Sequence, residues 1–283
     1  MRQSLWITLM AIVLLPAVVF GQSPDAGQLD RLYLKSGLAD LVEQIPAGVQ
    51  AGFAQAFGED AGGQLTPRQR KIILTRIPLA YPTEDMRTGI MEVLAAELTA
   101  ADVDTVLVWL DSPLGRKCTA LESAAAAPEA IAAMQAYAEE LQQSPPAPGR
   151  VALLGDLAEA VRAAENAVEV VMNTQLAVAA GMSAVLPEEQ RKPPEVIRNQ
   201  LEQYRPQITA AMQHQTALAF LYTYQSLSED EIRQYLDFAR SEEGVRYHTA
   251  ASDGIGQALT AGSLKLGAMI ADIIQATEQQ SDI

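Results

Sequence analysis

Apolar residues recur along this chain at intervals of three and four, the spacing of helices that bury one side. Near the start of the chain, Leu34, Leu38, Leu41 and Ile45 follow this rule. A longer run with the same spacing comprises Leu154, Leu157, Val161, Ala164, Val168 and Val171. No segment alternates apolar and polar residues with the period of two that is typical of a strand. The pattern predicts an all-α protein folded as a multi-helix bundle.

Proline and glycine mark where these helices should stop. Pro46 is expected to end or kink one helix, the residues 58–63 form a loop by composition, and Thr66 caps a helix that begins with Pro67. The strongest break is residues 144–149, where three prolines and a glycine cannot continue a helix. After it, we expect helices over residues 195–224, 229–240 and 242–274.

Two parts of the chain carry the same motif at a constant offset of 129 residues. Thr99 with Asp102, and Ser228 with Glu231, have the spacing of capping boxes, in which a hydroxyl and a carboxylate each bind a backbone amide of the first turn. Each box should start a helix with one apolar stripe. An aromatic residue lies about 100° from each stripe, so these helices should pack on two sides. The aromatic residues are Trp109 and Phe238.

Both motif helices should end at a Ser-x-x-Gly-x-basic element, whose serine is placed to cap the next helix. A glycine inside a first helical turn costs about 1 kcal/mol of helix propensity, which suggests close backbone packing in return. The residues concerned are Ser112, Gly115 and Lys117 in the first copy and Ser241, Gly244 and Arg246 in the second.

The ordered motif, Leu-(Ser/Thr)-x-x-(Asp/Glu) and then aromatic-x-x-Ser-Pro-x-Gly-x-Lys, resembles the bacterial family named domain of unknown function 2059. The resemblance is best over residues 98–117 and extends over about residues 28–127 and 151–262, as two tandem copies. The second copy departs from the family pattern, since Glu242 stands in place of the proline and Arg246 in place of the lysine. The resemblance implies an exported, all-helical envelope protein and no catalytic residues.

These observations divide the chain into five parts. Residues 1–21 are predicted to be a signal peptide, residues 22–143 a first helical repeat, and residues 144–150 a linker. Residues 151–262 should form a second repeat, and residues 263–283 the end of the last helix and a tail. In that last helix, Gly256, Gly262 and Gly267 would permit tight contact with another helix, and we expect a core helix rather than one on a membrane surface or a partner.

The first 21 residues have the three parts of a secretory signal: Arg2, an apolar run over residues 5–20, and small residues before an expected cleavage at Gln22. The alternative is a retained membrane anchor, but the run is shorter than the roughly 20 residues that span a bilayer. The protein is therefore expected to be periplasmic or secreted, with no stable membrane span after removal of the signal.

Composition narrows the classes of partner. The chain has 20 Lys+Arg against 35 Asp+Glu, a net charge of -15, which excludes an electrostatic nucleic-acid binder. Its single cysteine excludes a disulfide framework. The charge weakly favours basic partners.

Candidate chemistry is sparse. His214 and His248 are too far apart for a histidine metal motif, and neither motif serine has a nearby histidine. We expect both histidines to be exposed or hydrogen-bonded and Cys118 to be buried and inert. The sequence therefore predicts no catalytic residue, no metal, no cofactor and no enzyme.

The favoured function is a non-enzymatic helical interaction module that binds an envelope protein or a second copy of itself. The flank that carries Trp109 and Phe238 is one candidate contact surface, and core packing of both rings is the other reading. Two alternatives are a carrier of a small apolar ligand between the repeats and an unrecognised hydrolase.

Overall fold

A computed structural model describes residues 22–57, 65–127, 130–184, 186 and 188–279. The predicted signal peptide and the predicted loop at residues 58–63 lie outside these residues. The described residues form thirteen α-helices and one short 3-10 helix, and they contain no strand. The predicted all-α bundle is confirmed.

The helices before residue 144 are α1 (Ala26–Lys35), α2 (Leu38–Ala56), α3 (Pro67–Ala80), α4 (Thr83–Glu97), α5 (Ala100–Asp111), α6 (Pro113–Ala126) and α7 (Ala130–Gln143). Those after it are α8 (Pro148–Ala160), α9 (Ala163–Ala184), α10 (Pro194–Glu202), α11 (Arg205–Thr223), α12 (Glu229–Ala239) and α13 (Glu242–Gln279), with the 3-10 helix at Glu188–Gln190. None of the helices in the described residues is long and apolar enough to cross a membrane.

Several helix boundaries follow the sequence pattern. Thr66 caps α3, whose first residue is Pro67, as predicted. Pro46 does not end a helix, because α2 continues through it to Ala56. The helix expected over residues 195–224 is divided into α10 and α11. The break at the linker is shorter than expected, since Pro148 already begins α8.

Two hydrophobic cores hold the described helices together. The first contains side chains of α1 to α5 and, from the far end of the chain, Leu266 and Ile270 of α13. The second contains Leu154 and Leu157 of α8 with residues of α11 and α12, together with Cys118 of α6. Helix α13 packs along α3, α4, α5 and α9. Each predicted repeat therefore places a helix, α6 or α13, in the core built mainly by the other.

Close packing of α13 depends on a glycine of its own and on a glycine of α9. Tyr81 is fully buried and its hydroxyl lies 3.0 Å from Ser263 Oγ. A Cβ at Gly262 would overlap the Tyr81 ring, and a Cβ at Gly181 of α9 would overlap the backbone of Gly267. Gly256 of α13 has no neighbour within 4 Å of such a Cβ.

We predict opposite effects of alanine at two glycines of α13. Gly262→Ala should lower the free energy of unfolding by about 1–3 kcal/mol, because the new methyl group overlaps a buried ring. Gly256→Ala should raise it by about 0.5–1 kcal/mol, because only helix propensity changes. Urea denaturation followed by circular dichroism measures both, and equal effects of the two substitutions would contradict the packing of Tyr81 on Gly262.

Candidate functional site

The first motif forms a tight corner between α5 and α6. The Thr99 hydroxyl accepts a hydrogen bond from the Asp102 amide at 3.2 Å, and the Asp102 carboxylate accepts one from the Thr99 amide at 2.9 Å. The Ser112 hydroxyl accepts one from the Gly115 amide at 2.9 Å. A Cβ at Gly115 would overlap the carbonyl oxygen of Trp109. Only glycine therefore fits at this position in the first turn of α6.

The second motif forms the same corner between α12 and α13. Ser228 and Glu231 exchange capping hydrogen bonds of 2.8 and 3.2 Å. The Ser241 hydroxyl accepts a hydrogen bond of 3.0 Å from the Gly244 amide. A Cβ at Gly244 would overlap the carbonyl oxygen of Phe238, which repeats the geometry of the first corner.

The two corners face each other through their aromatic residues. The Trp109 and Phe238 rings stack with centroids 4.7 Å apart and an angle of 10° between their planes. Tyr235 of α12 stacks on Trp109 as well, at 5.4 Å. Trp109 and Phe238 are half-buried. The stacking agrees with the reading in which both rings pack within the protein, and the contact-surface reading stays a prediction.

Two reciprocal ion pairs join the corners. Lys117 Nζ of the first copy lies 2.6 Å from a carboxylate oxygen of Glu231, the capping acid of the second copy. Arg246 of the second copy lies 2.6 Å from a carboxylate oxygen of Asp102, the capping acid of the first. The same contact thus occurs in both directions, as in the self-complementary interface of a twofold dimer. We call these two corners and their contacts the motif interface.

The two capping carboxylates differ in burial. Asp102 is buried, which by itself would raise the pKa of its carboxyl, but hydrogen bonds from Arg246 and Thr99 outweigh burial and lower the pKa. Glu231 is partly exposed, and its pKa is lowered by the hydrogen bond from Lys117 and by those from Ser228. Each carboxylate therefore caps its own helix and also forms an ion pair with a basic residue of the other motif.

A polar cluster lies between α6, α11 and α12. The Glu122 carboxylate accepts hydrogen bonds from the hydroxyls of Tyr224, at 2.8 Å, and Tyr235, at 3.1 Å. Burial raises the pKa of Glu122. Cys118, one turn before Glu122, is buried as predicted, and burial raises the pKa of its thiol to about 12. The sequence analysis missed this cluster, although the spacing of four between Cys118 and Glu122 places them on one face of a helix.

The histidines do not form a site. His214 is exposed. His248 is largely buried, its Nε2 has no hydrogen-bond partner, and burial lowers its pKa to about 4. The expectation that both histidines are exposed or hydrogen-bonded is wrong for His248, because its ring packs beside Phe238 and Tyr247. In the described part of the chain, no three His, Cys, Asp or Glu residues are placed to hold a metal ion.

Two of the surface depressions formed by the described residues are large enough for a ligand. A groove of about 540 Å³ lies between α1 and α5, and a half-open cleft of about 950 Å³ lies between α9, α10, α11 and α13. The cleft is lined by helices that follow the linker and carries many charged side chains. A carrier of apolar ligands would need an apolar pocket between the repeats, whereas this cleft is charged and lies within the part of the chain that follows the linker.

We predict unequal effects from the two ion pairs of the motif interface. Arg246→Gln should cost about 2 kcal/mol of unfolding free energy, because it leaves the buried Asp102 carboxylate without a cation. Lys117→Gln, the matched change in the other copy, should cost below about 1 kcal/mol, because Glu231 is partly exposed. Urea denaturation at pH 7 measures both costs.

The cost of Arg246→Gln should also depend on pH. The pKa of Asp102 is lower in the folded than in the unfolded chain, so its contribution is present above about pH 4 and is lost as the pH falls through the folded value. The difference between Arg246→Gln and the unsubstituted protein should therefore shrink at acidic pH. A difference that grows there would contradict this account.

His248 should make the protein less stable in mild acid. Its pKa falls from 6.5 unfolded to about 4 folded, so the unfolded chain binds more protons between these values. The loss of stability from pH 6.5 to pH 4 attributable to this group is up to about 3 kcal/mol. His248→Leu should remove this part of the pH dependence in thermal unfolding, and the control His214→Leu, at an exposed position, should keep it.

The comparisons with known proteins concern the first motif. No curated protein and no solved structure gives a significant match to the chain. Residues 84–144 match the family model described as "Uncharacterized protein conserved in bacteria (DUF2059)". This segment contains α5, the first corner and α6, whereas the second copy lies outside the match and stays a prediction. The resemblance of the motif to this uncharacterised bacterial family is thus confirmed for residues 84–144.

Proposed function

We propose that the chain is an exported, non-enzymatic helical module of the bacterial envelope that binds another protein through α1 and α5. The exposure of two large apolar side chains on these neighbouring helices carries the proposal. Val108 of α5 is 74% exposed and Leu34 of α1 is 67% exposed, the highest values for large apolar residues in the described parts of the chain. Exposed apolar surface with a polar rim is typical of a protein interaction site.

The groove between α1 and α5 gives the part of this surface around Val108 a shape. Val108 and Leu107 line it, together with the polar residues Arg31, Asp104 and Asp111. Lys35 and Arg31 pair with Asp111, whereas Asp104 accepts a hydrogen bond from Gln28 and has no Lys or Arg partner among the described residues. With a chain charge of -15, this favours a partner segment that has an apolar side chain beside a basic one.

Export is supported by the signal-like pattern of residues 1–21 and by the family resemblance. The non-enzymatic part of the proposal is supported by the state of the histidines, since His214 is exposed and the buried Nε2 of His248 has no hydrogen-bond partner. A hydrolase that uses histidine as a base would need such a partner or a nearby nucleophile.

The proposal predicts a position-specific cross-link. A photoreactive amino acid at Val108 should form an adduct with one discrete protein when the full chain is made in its bacterium and illuminated. Leu79 of α3, which is 65% exposed, is the matched control because it has similar exposure outside the groove. Mass spectrometry of the adduct identifies the partner, including a second copy of the chain.

Two outcomes would contradict the proposed surface. One is the absence of any adduct at Val108, and the other is the same set of adducts at Val108 and Leu79. Circular dichroism of each purified variant shows whether it is folded.

A further inference from the structure

The cleft between α9, α10, α11 and α13 has the size of a small-molecule site. Its volume of about 950 Å³ falls within the range of roughly 300–1,000 Å³ that is common for ligand pockets. Helix α9 packs on α10, α11 and α13, and several of its residues line the cleft. Among the apolar lining residues, Val168 and Leu259 are buried and Leu264 is exposed.

Two of the three arginines that line the cleft each have two carboxylates within 4 Å. Arg205 lies 2.8 Å from Glu169 and 2.6 Å from Glu202. Arg162 lies 2.6 Å from Glu165 and 3.8 Å from Asp253. Every carboxylate of the lining, namely Glu165, Glu169 and Asp253, therefore has an arginine within 4 Å.

The backbone conformation of Arg162 indicates that the fold holds these ion pairs in place. Arg162 joins α8 to α9 with a φ of 56°, a left-handed conformation that residues other than glycine rarely adopt. In this conformation its guanidinium lies between carboxylates of α9 and α13. The strained residue thus ties two walls of the cleft together.

The third arginine is uncommitted. Arg198 of α10 makes no hydrogen bond or ion pair with a described residue, and it acts on Glu202 only at longer range, where Arg205 is the larger cause of a lowered carboxyl pKa. The side chains of Asn173, Thr209 and Gln213 also line the cleft and have no hydrogen-bond partner among the described residues. Gln257 is in the same state. The described lining of the cleft therefore offers one free guanidinium, three free amides and one free hydroxyl, and each of its carboxylates has an arginine within 4 Å.

We propose that this cleft binds a small organic monocarboxylate, whose carboxylate is held by Arg198 with help from Asn173, Thr209 and Gln213. A guanidinium presents two parallel N–H donors that match the two oxygens of a carboxylate. The apolar residues of the cleft accept the hydrocarbon part of the same molecule.

The pairing of the charged side chains favours a monocarboxylate over other ligands, because Arg198 alone among the charged residues of the described lining has no opposite charge within 4 Å. A phosphate near neutral pH carries up to two charges, which one free guanidinium does not balance. An amine would have to compete with an arginine for any carboxylate of the lining. A fully apolar ligand would leave Arg198 and the three amides without partners.

Titration with sodium hexanoate tests the proposal, with hexanamide and inorganic phosphate as matched probes. Calorimetry of the full chain should show saturable binding of hexanoate and at least about tenfold weaker binding of hexanamide, which keeps the hydrocarbon and lacks the charge. Arg198→Gln should weaken hexanoate binding about tenfold or more. Arg76→Gln, which removes an exposed arginine of α3 outside the cleft, should leave the affinity unchanged.

Three results would overturn the carboxylate site. They are no saturable binding of hexanoate, equal binding of hexanoate and hexanamide, and an affinity that Arg198→Gln does not change. Tighter binding of phosphate than of hexanoate would overturn the choice of a monocarboxylate. Val108 is not in the cleft, so none of these results depends on the cross-linking outcome.

Discussion

The contact on which the rest of the fold depends is the pairing of the two helical corners. At each corner a serine caps the second helix and a glycine lets that helix start against the carbonyl of an aromatic residue. The rings of Trp109 and Phe238 then meet face to face. Because the corners are paired, α6 and α13 leave in directions that place each in the core of the other segment. The two segments are consequently interlocked.

The motif interface also explains why acidic residues follow the capping hydroxyls. A capping box can use Glu, Gln or Asp at its third position. Here the carboxylate has a second partner, a cation that comes from the opposite copy. Replacing the acid by an amide would keep the cap but weaken the pairing. The symmetry is not complete, because Asp102 is buried whereas Glu231 is partly exposed.

Local features could be predicted from the sequence because they depend on nearby residues. The caps at Thr66, Thr99 and Ser228 are present with the expected hydrogen bonds. Features that depend on distant residues could not be predicted. A stripe at intervals of three and four shows that a helix buries one side, but it does not identify the helix that covers it. For this reason the sequence did not predict that α6 packs in the second core and α13 in the first.

Tertiary packing outweighs local preferences at two residues. Of the two outcomes expected at Pro46, an end or a kink, the end does not occur, since packing of Val42 and Val49 in the first core holds both halves of α2. His248 was expected to be exposed or hydrogen-bonded, yet its ring packs beside Phe238 of the motif interface.

The motif interface and the two depressions are parts of one framework, since Ser112 of the first corner also lines the groove between α1 and α5. The cleft is connected to the second corner by α13. Its 38 residues extend over about 57 Å, and along this length the helix contributes Arg246 to the second corner and Ser252 and Leu264 to the cleft. On the opposite face of the same helix, the contact between Gly262 and Tyr81 packs α13 against the C-terminal end of α3. The shape of the cleft is thus set by a helix that both the motif interface and the first core hold in place.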